Sequence, residues 1–63
     1  MNTGFTHEEL AVLEDVIKEY LTELRMEIAD TDDYEYRQNL KHKAEVLQAI
    51  VGKLEKAKIS AMN

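Results

Sequence analysis

Asp30-Thr31-Asp32-Asp33 is the stretch about which this 63-residue chain turns. Asp and Thr are poor residues for a helix interior. They suit a helix start, where their oxygens accept hydrogen bonds from free N–H groups and negative charge complements the helix dipole. On either side, apolar residues recur at spacings of three and four, the period of one helix face. Leu10, Leu13, Ile17, Tyr20 and Leu24 form the stripe before the turn, and Leu40, Ala44, Leu47, Val51 and Leu54 the stripe after it. The expectation is an all-α fold: an antiparallel two-helix hairpin with helices over about 7–29 and 33–61. Residues 30–33 form the inter-helix turn, residues 1–5 a short N-terminal tail, and 1–63 a single helical-hairpin domain.

Local signals support those bounds. Thr6 with Glu9 three residues on makes a capping box, and Phe5 with Leu10 fits the hydrophobic staple that accompanies it. Asp32 with Glu35 is one capping pair for the second helix; Asp30 and Thr31 are alternatives. Lys53, Lys56 and Lys58 lie near the C-terminal end of that helix, where positive charge is favourable. Mirroring the stripes pairs Leu24 with Leu40, Tyr20 with Ala44, Ile17 with Leu47, Leu13 with Val51 and Leu10 with Leu54. That is a coiled-coil seam of knobs into holes.

The apolar residues exceed what one seam can cover. Val12, Val16, Leu21, Val46 and Ile50 lie beside it and form the expected self-association face. A chain this short buries only about 60% of the surface it exposes when unfolded. With no Cys to form a disulfide, association is the economical route to stability. A homodimer of two hairpins, a four-helix bundle, is the expected assembly.

Charge narrows the partners. The net charge of −5 opposes direct binding to nucleic acid and to anionic membranes. No apolar run approaches the roughly 18 residues that span a bilayer. The polar opening residues lack the basic-then-apolar pattern of a signal peptide, so the expected location is cytoplasmic. The charge is also uneven. Residues 1–33 hold ten acids against two bases, a net of −8, and residues 34–63 hold six bases against three acids, a net of +3.

The patterns that resemble chemical sites are incomplete. Asp30, Asp32 and Asp33 suggest a calcium loop, but that loop needs Gly at its sixth place and Glu at its twelfth, where this chain has Glu35 and Lys41. His42 and Glu45 reverse the order used in metal-binding bundles, and the motif stands alone. No nucleophile accompanies a base, and no glycine-rich loop is present. The expectation is therefore a non-enzymatic protein with no catalytic residue, metal or cofactor. Its expected role is that of a small acidic interaction or regulatory protein, which self-associates and acts by binding another macromolecule, with inhibition as one form of that action. Two alternatives remain open. One is an oligomeric nucleotide-type ligand binder using Tyr34, Tyr36, Arg37, Lys41 and Lys43, where aromatics and bases interleave. The other is a DNA mimic that presents the acids of the first helix to a DNA-binding protein.

Overall fold

The computed structural model describes residues 4–61, so Met62 and residues 1–3 of the expected tail lie outside the described residues. Two helices make the fold, α1 over His7–Asp30 and α2 over Tyr34–Ser60, with no strand among the described residues. They run side by side in a body of 47 × 17 × 13 Å. Both composition and local capping account for them. The Thr6 hydroxyl accepts from the Glu9 N–H at 3.1 Å, and the Glu9 carboxylate accepts from the Thr6 N–H at 2.9 Å, so two otherwise orphaned donors are satisfied.

The turn is tighter than the sequence reading places it. Thr31 caps the C-terminus of α1, its N–H donating to the Glu27 carbonyl at 3.1 Å. The Thr31 hydroxyl then accepts from the Asp33 N–H at 3.3 Å, and Arg37 donates to the Thr31 carbonyl. One threonine thus serves both sides of the turn. Asp33, rather than Asp32, is the N-cap of α2, and its carboxylate accepts from the Tyr36 N–H at 3.0 Å. The cap moves one residue because Thr31 holds the intervening backbone extended until Asp33.

The seam is rotated relative to the stripe read from the sequence. Leu10, Leu21 and Leu24 of α1 and Leu40 and Ala57 of α2 are buried. Ile17, Ile28, Ala44, Leu47, Val51 and Leu54 are half-buried between the helices. The α1 stripe that faces α2 therefore runs 10-14-17-21-24-28, at alternating spacings of four and three. Leu21, expected on the outer face, is 4% exposed, and Tyr20, expected in the seam, is 39% exposed. Leu13 is only half-buried, and Glu14 beside it is 3% exposed. A physical reason is at hand: a Tyr hydroxyl keeps its hydrogen bonds at the rim, whereas Leu21 fills the seam with no polar atom to satisfy. Full burial of a leucine contributes about 1.5–3 kcal/mol.

Candidate interaction surface

The hairpin presents two flanks, one on each side of the plane that holds both helix axes. Two side-chain contacts between the helices identify the first. The Lys43 ammonium lies 5.2 Å from the centroid of the Tyr20 ring, and the Tyr36 hydroxyl donates to Glu27 at 2.5 Å. Tyr20 and Glu27 are seven residues apart, as are Tyr36 and Lys43, and steps of seven stay in one row along a helix. Extending those rows adds Leu13 on α1 and Ile50 on α2. One row further out lie Glu9, Val16 and Glu23 on α1, with Asn39, Val46 and Lys53 on α2. This is the apolar flank: Tyr20 is 39% exposed, and in the same and adjoining rows Val16 is 55% exposed, Val46 45% and Ile50 36%.

The second flank is polar. Lys18 precedes Tyr20 by two residues, or about 200° around the helix, and so points to the other side. Its ammonium stands 3.9 Å from the Glu55 carboxylate. A shallow open groove runs there, lined by Lys18, Leu21, Thr22, Arg25, Gln48 and Val51.

Glu14 enters the seam beside that polar flank. Lys58 of α2 donates to one carboxylate oxygen at 2.6 Å, and Lys18, one helical turn along α1, meets the other at 2.9 Å. The hydrogen bond from Lys58, followed by that from Lys18, pulls the Glu14 carboxyl down from 4.5 to about 2, against the opposing effect of burial. The same contact holds the Lys18 ammonium above its ordinary value. The apolar stripes give no warning of this site, because they leave position 14 out and Lys58 is 44 residues away in sequence. An acid at a seam position, with a lysine on each helix within reach, is the signal that marks it.

The remaining expected residues fall in several places. Val12 and Val16 are exposed on α1, as are Val46 and Ile50 on α2. Within this group Leu21 alone is in the seam. The proposed ligand residues do not converge: Tyr36 and Lys43 share the apolar flank, Arg37 is half-buried against the turn, and Tyr34 and Lys41 form a separate row. Three are already engaged, Tyr36 with Glu27, Arg37 with Thr31 and Lys43 with Tyr20. The hydrogen bond to Glu27 raises the Tyr36 hydroxyl above its ordinary value. Contact with Tyr20 does the same for the Lys43 ammonium. Among the described residues no three His, Asp or Glu side chains are grouped to hold a metal ion, and no helix is long and apolar enough to cross a membrane. A scan against protein-family models, a search of curated proteins and a search of solved structures each found no match to this chain.

Proposed function

We propose that this chain is a small non-enzymatic interaction protein that self-associates through its apolar flank, two hairpins forming a four-helix bundle, and acts by binding another macromolecule, with inhibition as one form of that action. One observation carries the reading: Val16, Tyr20, Val46 and Ile50 stand exposed together on one flank, while the opposite flank carries Lys18, Thr22, Arg25, Gln48 and Glu55. Val12, Met26, Tyr34 and Ile59 are also exposed but scattered over other faces, whereas exposed apolar side chains gathered on one flank are the usual mark of an interface. The stripe Leu10-Leu13-Ile17-Tyr20-Leu24 adds support, because it points between the seam and this flank, toward the place where the centre of a four-helix bundle would lie.

Association leaves the outward face of α1 open, with Glu8, Asp15 and Glu19 all exposed. That acidic row is the surface offered to a basic partner, and contact there weakens as salt is raised. Sedimentation across micromolar concentrations, combined with pull-down from a native extract, tests both parts. A folded monomer at every concentration, with nothing recovered, sinks the proposal.

A further inference from the structure

We infer that the partner on the apolar flank is a second copy of this chain related by a two-fold axis parallel to the helices, so that α1 of each hairpin lies against α2 of the other. The inference rests on the self-association reading and specifies its geometry. A two-fold contact uses the same patch on both copies, so the axis must lie in the plane of the contact. Two choices exist for helical hairpins. An axis along the helices places α1 opposite the partner's α2, with α1 and the partner's α1 on a diagonal of the bundle. An axis across the helices places α1 opposite the partner's α1, and α2 opposite the partner's α2.

Charge on this flank separates the two. The α1 half of the flank carries Glu9, Glu23 and Glu27 and no base; the α2 half carries Lys43 and Lys53 along its length, with Glu35 in line with Lys53 only at the turn end. An axis along the helices sets each acidic half against a basic one. An axis across them sets acid against acid and base against base, and like charges brought together at the rim of a contact oppose it. Both arrangements bury the same Val16, Tyr20, Val46 and Ile50, so apolar burial does not choose between them. Rim charge does.

Spin labels on the side of α1 away from the contact read the axis directly. The chain has no Cys, so Glu8→Cys, Asp15→Cys and Thr22→Cys each introduce one labelling site. All three positions are exposed and stand seven residues apart in one row. With the axis along the helices, the label-to-label distance is the same at all three sites. With the axis across them, the axial separation grows by about 3 Å for every residue away from the axis, twice the helical rise. A flat series supports the inference. A series that changes along α1 in a dimer overturns it and leaves self-association standing. Absence of an intermolecular distance at concentrations where the wild-type chain sediments as a monomer overturns both.

Discussion

The two flanks of this hairpin are built from the same helices, two residues apart in register, and share almost no chemistry. One shows Val16, Tyr20, Val46 and Ile50 to solvent; the other shows Lys18, Thr22, Arg25, Gln48 and Glu55. Both flanks border one seam, so the difference is not a by-product of folding the hairpin. The polar flank is finished by water and by ion pairs such as Lys18 with Glu55. Exposed pairs of that kind contribute little stability each, and their value lies in keeping the side soluble. The apolar flank leaves valine and isoleucine side chains in water. The contrast teaches that a helix can hold two partners if its apolar stripe is wide enough, and that of α1 is.

Substitutions that damage the common seam have the largest effect, because both flanks stand on it. Leu24→Ala removes a fully buried side chain and is expected to cost about 2–5 kcal/mol. In a chain this small that lowers the thermal midpoint by tens of degrees or unfolds the monomer, as circular dichroism would record. An unchanged midpoint would mean that the seam lies elsewhere.

The next effect breaks the comparison itself. Val16→Glu with Ile50→Glu on the apolar flank should weaken self-association by about a hundredfold, on the order of 2.7 kcal/mol. Thr22→Glu with Gln48→Glu on the polar flank should change it by no more than about 0.5 kcal/mol. Sedimentation equilibrium of the two variants gives the answer, and equal losses from both would erase the distinction between flanks.

Acid sharpens the role of the polar side. Glu14 has a folded-state value near 2 against an ordinary 4.5. A depressed carboxylate contributes stability that is fully present above its unfolded value and is lost as pH falls through its folded value. The urea midpoint of the wild-type chain should therefore fall between about pH 5 and pH 2. Glu14→Gln should be less stable than wild type at pH 7, and the gap should close on acidification. A gap that stays constant with pH would show that the carboxylate is not held in its charged form.

The smallest effect concerns the rim of the apolar flank. Lys43→Glu should weaken association about threefold, within the roughly 0.2–1 kcal/mol of an exposed pair, because an axis along the helices sets Lys43 level with Glu23 of the second copy. Adding Glu23→Lys to the same chain should restore it. Failure of the second change to compensate would remove rim charge as the determinant of orientation.

Much of this architecture can be read from the chain. The helical composition, the Thr6–Glu9 box and the two spaced stripes lead directly to two helices joined by a short acidic turn. What the reading missed follows from treating residue types one at a time. Tyr20 counts as apolar in a stripe, yet its hydroxyl and the reach of Lys43 keep it at the rim. Glu14 is only one of ten acids in the charge count, yet two lysines make its burial possible. The cap at Asp33 was missed by one residue because Thr31 bonds to both sides of the turn, which a capping pattern does not encode. Each miss involves a polar group whose position depends on a partner distant in sequence or on the opposite side of a turn.

The buried carboxylate of Glu14 has one more consequence, and it concerns structures this chain does not form. Sliding α2 by one heptad along α1 keeps apolar residues facing apolar residues, so the stripes alone discriminate weakly against it. That slide would bring Val51 to the place of Lys58 and leave Glu14 facing a hydrocarbon side chain. Glu14 would keep Lys18 and lose Lys58, and a buried charge that loses one of its two partners is disfavoured. Glu14 thus acts as a registration mark, set where only one alignment of the helices adds the ammonium group of Lys58 to that of Lys18.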